Sequence, residues 1–130
     1  MTRTLPCLFA LLLPATLAAA ETVAPPSGYA AAKRRADHDE AALPAALADA
    51  MRQAQLAALD EGVADCAMPQ ADTRAFVIVV ELGADGRIAA SWREGDTPLA
   101  VCVEKFLRGR PLPAPPQAPL YLSYELSFVP

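Results

Sequence analysis

Three stretches of the chain alternate apolar and polar side chains at the period of a strand, and two repeat apolar positions at the period of a helix. The clearest strand is Ala75 to Leu82, read AFVIVVEL, with Phe76, Ile78, Val80 and Leu82 on one face and Val77, Val79 and Glu81 on the other. Both faces are apolar near its middle, which predicts a strand inside a sheet. Gly83-Ala84-Asp85-Gly86 predicts a turn, with glycines where a positive φ is needed. The chain then returns from Arg87 to about Arg93 with Ile88, Ala90 and Trp92 facing one way and Arg87, Ala89, Ser91 and Arg93 the other. A third strand runs from Leu120 to Phe128, where Leu120, Leu122, Tyr124, Leu126 and Phe128 alternate with Tyr121, Ser123, Glu125 and Ser127. It is predicted to lie antiparallel to the hairpin.

The cleaner helix is 98–108. Thr97 supplies a side-chain cap, and Pro98 occupies the first helical position, where no amide partner is lost. Leu99, Cys102, Val103, Phe106 and Leu107 then form one apolar stripe, and Gly109 ends the element. From Asp37 to about Asp60 the chain is rich in Ala, Leu, Glu, Gln and Arg, residues that lose little on entering a helix. Asp37 or Asp39 can cap it, but Pro44 is tolerated only in a first turn, so the helix proper is expected over about 43–60. Its apolar pattern is irregular. Leu43, Leu47 and Met51 make one stripe and Leu56, Leu59 and Val63 another on a different side, so either the helix breaks or its alanines let it pack on two sides. Gly62 is expected to terminate it, and 64–73 to form a loop carrying Cys66.

Two segments show no apolar period. Residues 21–36 contain Pro25-Pro26-Ser27-Gly28 and scattered alanines, and are expected to form a flexible leader. Pro111-Leu112-Pro113-Ala114-Pro115-Pro116 excludes helix and inner strand and predicts an extended surface spacer, with PxxP-type recognition a secondary role. The elements together predict one α+β domain over 37–130, a three-stranded antiparallel sheet (about 75–82, 87–93 and 120–128) with helices 43–60 and 98–108 packed on it.

The first twenty residues differ in composition from all that follows. Arg3 precedes an apolar run from Leu5 to Leu13, and Ala18-Ala19-Ala20 forms a small-residue processing site before Glu21, the layout of a cleaved signal peptide. Pro6 and Pro14 interrupt the run, which falls short of the roughly 20 apolar residues of a spanning helix. An uncleaved membrane anchor is the alternative. Removing the segment leaves 10 Lys and Arg (11 less Arg3) against 15 Asp and Glu, a formal charge of −5. That acid balance speaks against a nucleic-acid partner, and against a membrane partner unless the N-terminal segment is retained. The expected address is the periplasm.

Cys66 and Cys102 remain after processing, and an even count in an exported chain predicts a disulfide between them. No CxxC redox pair occurs, and with His38 as the lone histidine a zinc site lacks ligands; no cofactor or metal is expected. The inventory for catalysis is equally thin. His38 lies beside the leader, the pairs Asp60-Glu61 and Glu94-Asp96 sit at element ends, and there is no phosphate loop or nucleophile elbow, so no catalytic residue is assigned.

The strand Phe76 to Leu82 running into Asp85-Gly86 and Ile88, the helix core Leu99, Val103 and Leu107, the prolines at 111, 113, 115 and 116, and the closing Leu122, Tyr124, Leu126 and Phe128 together resemble the C-terminal domain of the TonB and TolA energy transducers. The resemblance covers about residues 75–129, with the 43–60 helix standing for the one that precedes the sheet in that family. It implies a three-stranded sheet with helices against one face and partner binding through an exposed strand edge. Leu120, Leu122, Tyr124, Leu126 and Phe128 would then mark the partner-binding edge, where an extended envelope peptide adds by main-chain hydrogen bonds. An energy transducer keeps a membrane helix and a linker long enough to cross the periplasm. Residues 21–36 are too few for that at about 3.3 Å each. The resemblance therefore points to a stand-alone periplasmic interaction or accessory module, or to a membrane-tethered transducer-like subunit if the N-terminal segment stays attached.

Overall fold

The computed structural model describes residues 23–129, so the expected signal segment lies outside the described residues. Six elements follow in order: α1 (Tyr29–Ala42), α2 (Ala45–Asp65), β1 (Phe76–Leu82), β2 (Ile88–Glu94), α3 (Pro98–Arg108) and β3 (Leu120–Leu126). The strands form one antiparallel sheet in the order β2-β1-β3, giving the expected α+β class. β1 is central because both of its faces can be buried: Phe76, Ile78, Val79, Val80 and Leu82 are all buried.

α2 and α3 cover one face of the sheet. Met51, Ala58 and Leu59 from α2 join Leu99, Ala100, Val103 and Leu107 from α3 over Ile78, Val80, Leu82 and Leu122. α3 matches its sequence signals closely. The Ala100 amide donates to Thr97 Oγ1 at 3.1 Å, and Pro98 opens the helix. The disulfide joins Cys66, at the end of α2, to Cys102 in the middle of α3, with Cα atoms 5.8 Å apart. Beside it, a Cβ on Gly62 would stand 2.9 Å from Phe106 Cδ1. Gly62 therefore lies within α2 and lets the two helices close up, rather than ending the helix as expected.

The segment read as a flexible leader is half helix. From Tyr29 onward it forms α1, which lies on the opposite face of the sheet, with Ala32 and Ala36 fully buried against Val79 and Tyr121. Alanines one turn apart are a weak apolar signal, yet their small size lets the helix backbone approach the sheet closely. Lys33 fixes it further, pairing with Asp37 on its own helix and with Glu125 of β3 at 2.8 Å. The sheet is thus sandwiched between helices, not covered on one face as the family resemblance implied.

Pro44 sets the start of α2 where it was expected and separates it from α1. A residue before proline is driven out of the α region, and Leu43 is extended at φ −66°, ψ 135°, so α1 stops and α2 begins at Ala45. The irregular pattern of α2 also resolves: Met51, Ala58, Leu59 and Gly62 form its buried face, while Leu47 and Leu56 are exposed. A register shift at Glu81/Leu82 pairs Leu82 with Ile88 but Glu81 with Ala90. The bulge turns Ile88 toward the α2/α3 core, away from Ala90 and Trp92, with which it was expected to share a face. Gly86, at φ +80°, closes the hairpin where a Cβ would collide with the Leu112 carbonyl oxygen. Leu112 of the proline segment donates its amide to Gly86 O at 2.8 Å and buries its side chain in the core, so this spacer is also a strap.

Candidate functional site

The strand expected to receive a partner, β3, does lie at a sheet edge, but that edge is capped at Tyr121 and Ser123. Leu120, Leu122 and Tyr124 are buried core residues, and Leu126 and Phe128 pack partly against the same core, so their side chains do not present a recognition surface. Outward backbone groups at Tyr121 and Ser123 are also taken. The Tyr121 amide donates to Asp39 Oδ2 at 3.1 Å, and the Ser123 amide to Glu40 Oε1 at 2.6 Å. The Ser123 carbonyl accepts from Gln55 Nε2 at 3.2 Å. Two carboxylates from α1 and one amide from α2 therefore take the outward groups at Tyr121 N and Ser123, in the first half of the strand, where a fourth strand would otherwise bind. This corrects the expectation of a free edge at Leu120 to Phe128. Its physical reason is the last turn of α1, hidden in the sequence because Asp39 and Glu40 read as solvated acids near a helix start.

Burial pushes the Glu40 carboxyl above the usual carboxylate range, against the lowering effect of the Ser123 amide and the Lys33 charge. On the same face, Arg35 lies over the Tyr121 ring at 5.3 Å, and Tyr121 donates to Glu81 Oε2 at 2.8 Å. Desolvation and that bond to Glu81 push the Tyr121 hydroxyl up to about 12. These contacts anchor α1 to the sheet.

Two hollows border this capped edge. A small one of about 200 Å³ lies between α1 and α2 and is lined by Glu40, Met51, Gln55 and Ser123. A wide groove of about 1050 Å³ opens where α1 ends, between Arg35, His38 and Asp39 on one wall and Pro116 to Leu120 on the other. His38 is four-fifths exposed there, 3.2 Å from Asp39 Oδ1. Among the described residues no group of three or more His, Cys, Asp or Glu is arranged to hold a metal ion. Glu61 is engaged with Arg110.

No family model matches the chain, and neither does any curated protein or solved structure compared with it.

The opposite edge, β2, is different. Alternation carries the hydrogen-bonding parity across the sheet. With the amides of Tyr121 and Ser123 facing out, the pairs Val80↔Leu122 and Ile78↔Tyr124 bond β1 to β3, and Val79↔Trp92 and Val77↔Glu94 bond β1 to β2. Ser91 and Arg93 therefore turn their backbone amides and carbonyls outward. Among the described residues no other hydrogen bond is made to them. Their side chains, in contrast, are held by α3: Ser91 Oγ donates to Glu104 Oε1 at 2.8 Å, Arg93 Nε donates to Glu104 Oε2 at 2.8 Å, and Arg108 Nε donates to Ser91 Oγ at 2.6 Å. Burial raises the Glu104 carboxyl, but hydrogen bonds from Arg93 and Ser91 and the nearby charges of Arg93 and Arg108 outweigh it and hold the group below the usual range. Sequence reading assigned Arg93 and Ser91 only a strand face. The signal that finds them is that, of the two outer strands, theirs has no side chain bound to its backbone edge.

The disulfide itself is compatible with an oxidising, exported compartment. Among the described residues no helix is long and apolar enough to cross a membrane.

Proposed function

We propose that this protein is a small periplasmic interaction module, a stand-alone relative of the TonB and TolA C-terminal domains. It binds another envelope protein by taking an extended segment of that protein as a new strand along β2. What supports the reading is the asymmetry of the two edges. Side chains occupy the outward Tyr121 amide and the Ser123 amide and carbonyl of β3, whereas the outward groups of Ser91 and Arg93 on β2 have no partner among the described residues. An unpaired edge on a rigid, disulfide-linked scaffold supplies directional hydrogen bonds at low ordering cost. The order of two strands, helix, proline segment and strand supports the kinship, and export rests on the N-terminal segment and the cysteine pair. This role needs no catalytic residue or cofactor.

The test is site-specific photocrosslinking in the cell envelope. A crosslinker at Ala89, exposed on β2, is expected to trap an envelope protein, whereas one at Asp49, exposed on α2, is not. Adding Ser91→Pro, which removes an outward amide, is expected to abolish the adduct. Equal adducts from both sites, or an adduct that survives the proline, would contradict strand addition at β2.

A further inference from the structure

Resting on that reading, we infer that the segment taken up by β2 is acidic. The observation is the charge that borders the open edge. Arg93 projects from β2 toward α3, and Arg108 reaches back from α3 to Ser91, so two guanidinium groups flank the outward amides and share one carboxylate, Glu104.

The sharing is unequal. Arg93 holds Glu104 at 2.8 Å and is three-quarters buried, while Arg108 stands 3.9 Å from the same carboxyl and more than half of its side chain is exposed. Arg108 thus has donors to spare beside the edge. A strand laid along Ser91 and Arg93 places alternate side chains on the α3 side, within reach of this cationic flank. Carboxylates at those alternate positions would find charge-assisted partners there.

The same charges decide against a second copy of this chain as the occupant. Pairing β2 with β2 across a two-fold axis brings two Arg93–Arg108 flanks together, each with only one carboxylate to offset it. Cations beside an edge guard it against neutral and basic strands, and by the same physics they admit an acidic one.

The experiment compares two fluorescent peptides on the oxidised protein, one of alternating Val and Glu, the other of alternating Val and Lys, by polarisation and by amide chemical shifts. The Val-Glu peptide is expected to bind, to move the Ser91 and Arg93 amides most, and to weaken as salt rises. Arg108→Glu should weaken it about tenfold and favour the Val-Lys peptide. Arg108→Gln, which keeps a polar side chain at the site, serves as the fold control and should lie between. Equal binding of both peptides at β2 would overturn the acidic preference while leaving strand addition intact. Failure of the Val-Glu peptide to move the β2 amides, or a shift centred elsewhere, would overturn the inference, and photocrosslinking from Ala89 would then decide the underlying reading separately.

Discussion

Two carboxylates illustrate how differently one residue type is used in this fold. Glu40 is held above the ordinary carboxylate range by burial, and Glu104 below it by Arg93, Ser91 and Arg108, although burial opposes this. The signs of their linkage to stability are therefore opposite. The raised group contributes stability that is present below its unfolded pKa and lost as pH rises through the folded one. The lowered group contributes stability that is present above its unfolded pKa and lost as pH falls through the folded one. Glu40→Gln keeps an oxygen for the Ser123 amide without burying a charge. Its stability relative to wild type is thus expected to be higher at neutral pH and to converge with wild type through the carboxylate range, as read by urea denaturation at each pH. Tyr124 gives a simpler case. Its hydroxyl is buried without a partner among the described residues, and desolvation alone drives its pKa up. Tyr124→Phe removes an unsatisfied polar group at nearly constant shape, and is expected to raise stability by about 1 kcal/mol in the same assay.

At the scale of elements, α1 holds the account together. Ala32 and Ala36 are fully buried, so Ala36→Leu must push the helix off the sheet, at about 1–3 kcal/mol. That loss should come with faster hydrogen exchange at the Tyr121 and Ser123 amides, because Asp39 and Glu40 move with the helix. The strands and α3 were legible from their residues alone, since alternation in 76–82 and 120–126 and the Thr97-Pro98 cap act locally. α1 was not legible. Its buried face consists of two alanines, which carry little hydrophobic signal, and the Val79 and Tyr121 on which they pack lie far along the chain. The capped edge was hidden for the same reason, because Asp39 and Glu40 find their amide partners some eighty residues away. The bulge that turns Ile88 inward likewise depends on pairing rather than on any signal within 87–93.

For the molecule as a whole, the disulfide ties the ends of a 36-residue separation across the α2–α3 interface. In the chain-entropy model such a closure stabilises the fold by about 4 kcal/mol. The double variant Cys66→Ser/Cys102→Ser is expected to lose a large part of that in chemical denaturation. The two edges of the sheet differ, one capped at Tyr121 and Ser123 by Asp39, Glu40 and Gln55 and the other without such caps at Ser91 and Arg93. Amide hydrogen exchange on the oxidised protein measures that difference directly. Slow exchange at Tyr121 and Ser123 beside fast exchange at Ser91 and Arg93 is the result predicted; protection at Ser91 and Arg93 equal to that at β3, or rapid exchange at Tyr121 and Ser123, would contradict it.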